Sequence, residues 1–440
     1  MIETQDYKVY SLHNFDQIPQ INQYLNADQI RAIEVVGHVL PFKVNNYVID
    51  ELINWDNVPN DPIFILTFPQ KDMLEKEHYA LVDQALKNEI PLSDLRKIVN
   101  DIRTELNPNP AGQQDHNVPI MDGQRLHGVQ HKYDQTLLFF PSHGQTCHAY
   151  CTFCFRWPQF IGDKNLKFAQ NETGDAVRYL KRHPKITDIL FTGGDPMTMS
   201  ASRLKAYIEP FLDPELEHIQ TIRIGTKSLS YWPYRYINDK DSEEILELFE
   251  RIVKAGKHLA FMAHLNHPAE LKTKAVKKAI KNIKKAGVEI RTQSPIMNHI
   301  NNKAWIWRDM WNTQVKLGLI PYYMFIARDT GAQHYFSVPL IKAWQVYKDA
   351  YRQVSGIART VRGPSMSAHP GKIEIVGPAT IDGDEVLTLN FIQGRNSDWV
   401  KRPFFAEYDE KAKWLDDLKP AFGKNKFFFE TELIDDVKLN

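Results

Sequence analysis

Apolar residues along this chain follow two alternating spacings, and the alternation predicts the order of its secondary structure. Short runs rich in β-branched and aromatic residues, typical of buried strands, are each followed by apolar positions three and four residues apart, typical of an amphipathic helix. The predicted strands are 137–140, 188–191, 221–225, 258–263, 288–293 and 322–326, and the predicted helices lie near 173–182, 201–212, 243–255, 270–286, 303–317 and 338–353. Six strand–helix units in this order predict an α/β fold with a parallel sheet.

Two flanking regions depart from this repeat. Residues 1–110 are helical and loop-rich in pattern, with Pro59-Asn60-Asp61-Pro62 as a helix breaker. Residues 372–393 carry two alternating apolar runs about the turn signal Asp382-Gly383-Asp384, which predicts a β-hairpin. We therefore expect three parts: an N-terminal helical extension (1–110), the βα repeat (111–360), and a C-terminal loop, β-hairpin and tail (361–440).

The composition indicates which kinds of molecule the protein is expected to bind. The 440 residues include 54 basic and 54 acidic side chains, so no net charge would attract the chain to nucleic acid or to an anionic membrane. No apolar run reaches membrane-spanning length, and the first residues lack a signal pattern. We expect a cytoplasmic protein whose partners are small molecules, with no nucleic acid and no membrane among them.

All three cysteines of the chain fall within eight residues, as Cys147, Cys151 and Cys154. Thiolates at C-x3-C-x2-C spacing in one loop can converge on a single iron–sulfur cube, and three of them leave its fourth iron open. The remaining alternatives are a zinc site or three buried thiols. No other cysteine is present to form a disulfide or a four-cysteine site.

This loop resembles that of radical S-adenosylmethionine (SAM) enzymes, and further segments resemble the lysine 2,3-aminomutase family among them. The matching segments occur in the family's order between about residues 40 and 375. They are Leu40-Pro41-Phe42-Lys43-Val44, Pro59-Asn60-Asp61-Pro62, His131-Lys132-Tyr133-Asp134, Thr192-Gly193-Gly194-Asp195-Pro196, Arg223-Ile224-Gly225-Thr226, His264-Leu265-Asn266-His267-Pro268, Thr292-Gln293-Ser294 and Pro321-Tyr322-Tyr323.

The resemblance implies a fold and two cofactors. The fold would be a partial (βα)6 TIM-like barrel, with the cysteine loop after its first strand. The three cysteines would bind a [4Fe-4S] cluster, and SAM would bind the open iron. By position in the family motifs, Arg156 would hold the SAM carboxylate, the segment with Gly193, Gly194 and Asp195 the amino group, and His264 and Gln293 the adenosyl part.

The departures from the family concern a second cofactor, pyridoxal phosphate (PLP). Aminomutases of the family bind PLP through a lysine in a D-A-P-G-G-G-G-K segment, and His369 stands at that lysine's position here. Lys372 would serve only in a rebuilt loop. The family's phosphate-binding arginines are matched by Lys132, Gln135 and Thr152, two of which carry no charge. The local residues therefore predict that PLP is absent.

The substrate residues are expected near the same segment. The family aspartate that binds the substrate's distal amine is replaced at Arg362, and a guanidinium favours a carboxylate or phosphate over an ammonium. A second family aspartate is matched by Asp329, and Ser365 and His369 are further candidates for substrate contact.

Three hypotheses remain open. The first is a PLP-independent radical SAM enzyme that abstracts hydrogen from a small, anionic substrate. The second is a PLP-dependent amino acid 2,3-aminomutase using Lys372, and the third is a non-catalytic iron–sulfur or zinc protein. The resemblance also implies a flavodoxin or ferredoxin as reducing partner, and a homo-oligomer stays open.

Overall fold

The computed structural model describes residues 5–109, 115–162 and 166–432. Contacts divide the chain into two compact units. The first is Met1–Arg291 with Thr330–Tyr335, and the second is Thr292–Asp329 with Phe336–Asn440. The three parts expected from the sequence are defined by residue pattern rather than by contacts, so their boundaries stay a prediction.

The N-terminal part of the first unit is helical, as predicted, with a small ribbon added. Strands β1 (Val9–Ser11) and β2 (Lys43–Asn45) pair antiparallel. The helices are α1 (Pro19–Tyr24), α2 (Ala27–Val39), α3 (Pro62–Thr67), α4 (Lys76–Lys87) and α5 (Leu92–Glu105). The predicted breaker begins α3: Pro62 is its first residue, and the Asp61 carboxylate accepts the N–H groups of Ile63 (2.9 Å) and Phe64 (2.8 Å).

The sheet of the first unit follows chain order. A short ribbon of β3 (Ile120–Met121) and β4 (Gln124–Arg125) precedes it. Its strands are β5 (Val129–Tyr133), β6 (Thr136–Phe139), β7 (Asp188–Phe191), β8 (Thr221–Thr226), β9 (His258–His264) and residues 289–291 of β10 (Glu289–Ile296). β5 is antiparallel to β6, and β6, β7, β8 and β9 are parallel. The parallel sheet places the ends of successive strands at one edge.

Helices alternate with these strands as the pattern predicts. They are α6 (Gly174–Arg182), α7 (Ala201–Ile208), α8 (Ser228–Tyr231), α9 (Ser242–Lys254) and α10 (Lys274–Lys285). The lysine-rich α10 buries one face of Ala275, Val276, Ala279, Ile280 and Ile283. The basic run is therefore an amphipathic helix with a single apolar face.

The second unit contains the rest of β10, then β11 (Ile320–Ile326) and β12 (Arg362–Ser367) in parallel, followed by an antiparallel series. That series is β13 (Gly371–Ile381), β14 (Asp384–Gly394) and β15 (Pro403–Glu407). Its helices are α11 (Ala304–Lys316) and α13 (Leu340–Tyr351); the short α12 (Gln333–Phe336) falls at the division between the units.

The predicted hairpin is confirmed at its turn. Ile381 pairs with Asp384, and Asp382 and Gly383 both have positive φ, 51° and 95°. Two consecutive positive φ values are those of a type I′ turn, which matches the twist of antiparallel strands. The α/β class and the six predicted strands are likewise found, whereas β12 lies in a segment that the sequence indicated to be a loop. Within the described ranges, no helix combines the length and the apolar composition needed to cross a membrane.

Candidate cofactor site

Seven residues separate β6 from the cysteine loop, which is held by the N-terminal extension. Tyr150 donates its backbone N–H to Lys43 O (2.8 Å), and the His148 carbonyl accepts from Asn45 Nδ2 (3.1 Å) and Tyr7 Oη (2.9 Å). Asn45 is fully buried and lies in β2. The extension therefore fixes the backbone between the first two cysteines.

The last turn of α3 holds the loop at a second point. Thr152, between the second and third cysteines, donates its N–H to Leu66 O (3.0 Å) and its hydroxyl to Ile65 O (2.7 Å). Carbonyls at a helix C-terminus lack partners within the helix, so they are available as acceptors. The breaker that begins α3 thus also determines where these carbonyls lie.

The glycine pair after β7 supports the loop directly. A Cβ on Gly194 would lie 2.5 Å from the backbone N and O of Thr146, and Asp195 N donates to Thr146 O (2.7 Å). Gly193 has φ +132° and faces the end of the Gln145 side chain. From sequence, Gly194 is expected to leave space for a ligand; in the structure that space is filled by Thr146 of the cluster loop.

The Asp195 carboxylate is fully engaged within the protein. It is buried and accepts from Thr226 Oγ1 (2.7 Å) and from the backbone N–H groups of Met197 (3.0 Å), Lys227 (2.9 Å) and Ser228 (3.0 Å). This side chain ties the end of β7 to the end of β8. A contact of Asp195 with SAM would therefore have to come from its backbone.

Burial raises the pKa of all three thiols, for Cys151 to about 12. A cation partly offsets the effect at each cysteine: Lys43 at Cys147, Lys227 at Cys151 and Arg156 at Cys154. Thiolates are the form that binds metal, and cations beside them reduce the cost of ionisation. The charges around the loop therefore suit an anionic, thiolate-bound group.

Arg156 is the clearest sign of a ligand. It is buried, its guanidinium carbon lies 4.4 Å from the centre of the Phe140 ring, and burial lowers its pKa to about 10. Among the described residues, its Nε and Nη2 atoms have no hydrogen-bond partner. Buried donors are nearly always paired, so this guanidinium fits the carboxylate that the resemblance assigns to it.

A cluster and a single ion make different demands on the three cysteines. Each thiolate of an iron–sulfur cube binds a different iron, whereas a tetrahedral zinc needs its ligands around one centre. Within the described ranges, no three His, Cys, Asp or Glu side chains are close enough to share one metal ion. The cluster and the zinc alternatives both stay predictions.

The adenosyl candidates lie on strands, His264 at the end of β9 and Gln293 within β10 rather than at its end. His264 is the last residue of β9, and burial lowers its pKa to about 3, so its imidazole is neutral. Gln293 lies on β10 and is partly buried, in the part of that strand belonging to the second unit. The roles of both residues stay predictions.

The candidate substrate residues lie in the second unit. Arg362 donates to Tyr323 Oη (2.7 Å) and lies over the rings of Tyr322 (4.8 Å) and Tyr323 (5.2 Å). Ser365 is fully buried, with its Oγ 3.5 Å from Met324 O, and Asp329 forms an ion pair with Arg328 at 3.6 Å. Of these, only Arg362 presents an exposed charged group.

The two residues relevant to PLP lie at the β12–β13 turn. His369 is exposed, and its carbonyl accepts from Arg395 Nε (2.9 Å). Lys372 pairs with Ser367 across the turn; its ammonium lies 4.1 Å from the Tyr323 ring centre and donates to Gln393 Oε1 (3.1 Å). The segment in which Lys372 would need a rebuilt loop to serve PLP is a tight antiparallel turn.

Sequence reasoning missed several residues around the loop. Lys43, Asn45 and Tyr231 contact it from outside the cysteine motif, and of these only Lys43 lies in a segment that the resemblance had marked. Lys227 and Glu270 do carry a signal, because each follows a strand end that the resemblance had already marked.

Curated relatives match most of the chain. A protein of Aquifex aeolicus named "Putative L-lysine 2,3-aminomutase" is 28% identical over 419 residues, 95% of this chain and 96% of its own. The glutamate 2,3-aminomutase of Clostridioides difficile is 26% identical over 212 residues, 48% of this chain and 47% of its own. No protein-family model matches.

Solved structures are similar only at a low level. Streptococcus suis SuiB bound to S-adenosylmethionine is 10% identical, with 68% of this chain and 64% of that chain covered and a TM-score of 0.36. The similarity that bears on function is therefore the one to the curated relatives. The chain is similar over most of its length to proteins named as lysine 2,3-aminomutases.

Proposed function

We propose that this protein binds a [4Fe-4S] cluster through Cys147, Cys151 and Cys154 and SAM beside it, and acts on a small anionic substrate without PLP. The observation that carries the proposal is the buried guanidinium of Arg156, whose Nε and Nη2 have no protein partner among the described residues. It lies two residues beyond the third cysteine, at the position that the resemblance assigns to the SAM carboxylate.

The radical chemistry comes from the cofactors, and the protein's residues hold and orient them. When bound, the cluster and SAM supply a 5′-deoxyadenosyl radical that abstracts hydrogen from an unreactive C–H bond. The protein's own residues hold the loop, neutralise its charge and orient the ligand: Arg156 binds a carboxylate, and the neutral His264 offers a ring nitrogen without adding charge. We expect the six βα units to form the partial barrel that surrounds this site.

The residues present do not fit PLP. A Schiff base needs a neutral amine at a fixed position, and His369 cannot form one. The amine of Lys372 lies between an aromatic ring and an amide oxygen, an environment that stabilises the ammonium form. No step of the proposed reaction therefore uses PLP.

The substrate is proposed to carry a carboxylate or a phosphate. Arg362 is exposed, and contacts with Tyr322 and Tyr323 orient its planar group, which suits a carboxylate or phosphate ligand. One relative is named for glutamate, an amino acid with an acidic side chain. The same argument disfavours a lysine-like ammonium at this position.

The second candidate is a PLP-dependent 2,3-aminomutase, and the names of the relatives favour it. It requires the amine of Lys372 to lose its proton and to leave the Tyr323 ring. A flavodoxin- or ferredoxin-type reductant and a cytoplasmic location are parts of the proposal in either case.

The test is anaerobic reconstitution with iron and sulfide, followed by absorption spectroscopy and a measurement of 5′-deoxyadenosine from SAM. We expect cluster absorbance and SAM cleavage, and loss of both in Cys147→Ala, Cys151→Ala and Cys154→Ala. Full cleavage activity in any of the three variants would refute the assignment, and zinc in place of iron would support a non-catalytic metal protein.

A second experiment isolates Arg156. Arg156→Ala removes a charge-assisted contact worth about 1.5–3 kcal/mol, so SAM affinity should fall about tenfold to a hundredfold while the cluster stays intact. Arg156→Lys should restore part of the affinity, since it keeps the charge but not the fork. The exposed Arg178→Ala is the control, and equal SAM affinity in Arg156→Ala would contradict the role.

A further inference from the structure

The second cysteine has a polar neighbour that no motif includes. The Sγ of Cys151 lies 3.8 Å from the Oη of Tyr231, the last residue of α8. Tyr231 is almost completely buried, and its carbonyl accepts from Asn45 Nδ2 (2.9 Å), the amide that also holds the cluster loop. The phenol is therefore fixed relative to the sulfur at both its ring and its backbone.

A largely buried cation lies over the face of the same ring. The Nζ of Lys227 is 4.2 Å from the centre of the Tyr231 ring and donates to Asn266 Oδ1 (2.8 Å) and Glu270 Oε2 (2.5 Å). Glu270 is fully buried, and its other oxygen accepts the N–H groups of Asn266 (2.6 Å) and His267 (2.9 Å). The Lys227 ammonium is therefore held by the Glu270 carboxylate, and both oxygens of that carboxylate accept hydrogen bonds.

These contacts have a defined effect on a thiolate. A metal-bound thiolate has no proton to give, so the phenol must donate and the sulfur accept. The Lys227 ammonium lies over the ring that carries this phenol, so its positive charge is close to the donor group. Hydrogen bonds to cluster sulfurs and nearby positive charge both stabilise the reduced, more negative cluster.

We propose that Tyr231, supported by Lys227, donates a hydrogen bond to the Cys151 sulfur of the bound cluster and raises the cluster's reduction potential. The proposal rests on the proposed function. One electron passes from a flavodoxin- or ferredoxin-type donor, which is oxidised, to the cluster, which is reduced; the phenolic proton stays on the Tyr231 oxygen throughout. Tyr231 and Lys227 are thus positioning residues that tune reduction rather than groups that touch substrate.

The test is a potentiometric titration of the reconstituted protein, followed by the electron paramagnetic resonance signal of the reduced cluster. Tyr231→Phe removes the hydroxyl and keeps the ring, so iron and sulfide content should be unchanged. At a fixed solution potential, we expect the ratio of reduced to oxidised cluster to fall about two- to tenfold. Tyr234→Phe, a buried tyrosine near α8 that packs on Tyr47, is the matched control and should leave the ratio unchanged.

The contribution of Lys227 needs a paired change, because removing one partner would leave Glu270 buried and unpaired. Lys227→Met combined with Glu270→Gln removes both charges, and we expect a shift in the same direction as in Tyr231→Phe. If Tyr231→Phe fails to retain its cluster, the ratio of reduced to oxidised cluster in this double variant tests the inference alone. A wild-type ratio at full iron content in the variants that retain the cluster overturns the inference, whereas a wild-type protein that binds no iron overturns the proposed function instead.

Discussion

Gly194 lies directly against the backbone of Thr146, so that a Cβ at position 194 would be 2.5 Å from both the nitrogen and the oxygen of that residue. Backbone atoms cannot move aside as a flexible side chain would. Thr146 immediately precedes Cys147, and it also accepts a hydrogen bond from Asp195 N. The glycine is therefore required by the contact between the β7 end and the cluster loop.

Even the smallest side chain at this position should displace the loop. We expect Gly194→Ala to lose most of its iron after reconstitution and, as a result, to cleave no SAM. Iron and sulfide analysis measures this directly. Gly174→Ala is the control, because a Cβ there meets no atom within 4 Å. A Gly194→Ala protein with a full cluster and weak SAM binding would instead support the expectation that Gly194 leaves space for the ligand.

The N-terminal extension should determine how firmly the cluster is held. Asn45→Ala removes the amide that donates to the carbonyls of His148 and Tyr231 and accepts from Val48 N. Each buried group left unpaired costs about 1–3 kcal/mol, so the unfolding free energy should fall measurably and the cluster should be lost faster in air. The neighbouring Asn46→Ala, which contacts Asp6 rather than the loop, should behave like wild type in both assays. Equal cluster lifetimes in the two variants would argue against the anchoring role.

The sequence predicts much of this architecture and little of the support around the site. The six strands are found because apolar periodicity reports local burial. The cysteines are candidates by their spacing alone, and their role stays a prediction. The contact of Thr152 with Ile65 and Leu66 joins residues more than 80 positions apart, and no periodicity carries that information. The strand β12 was missed because Arg362–Ser367 contains Gly363, Pro364 and two serines, which are weak strand formers.

His267 should make stability depend on pH. Burial lowers the pKa of His267 to about 4; Lys272 adds to this lowering and Glu270 partly opposes it. The Nδ1 atom of His267 accepts the N–H of Ala269 (3.3 Å) at the start of a helical turn. An unfolded histidine takes up its proton near pH 6.5, whereas the folded one does so only near pH 4. The unfolded state therefore binds more protons between these values.

The stabilisation is consequently complete above pH 6.5 and is lost as the pH falls through 4, by about 2–3 kcal/mol in total. His267→Asn keeps an acceptor for the cap and cannot titrate, so the fall in melting temperature between pH 6.5 and 4 should become shallower. His13→Asn, at an exposed position, should leave the slope as in wild type. An unchanged slope in His267→Asn would show that other groups dominate acid stability.

The relatives' names and the local residues make opposite predictions about PLP, and the residues are the better guide because a Schiff base is a geometric requirement. Lys372 pairs with Ser367 beside a tight turn, and its ammonium lies on the Tyr323 ring. Protein incubated with excess PLP and then borohydride should therefore carry no pyridoxyl group by mass spectrometry. Lys372→Ala should cleave SAM at the wild-type rate, and Lys372→Arg, which keeps the charge on the ring, serves as its structural control. A pyridoxyl label at Lys372, lost together with turnover in Lys372→Ala, would instead establish a PLP-dependent aminomutase with a rebuilt lysine site.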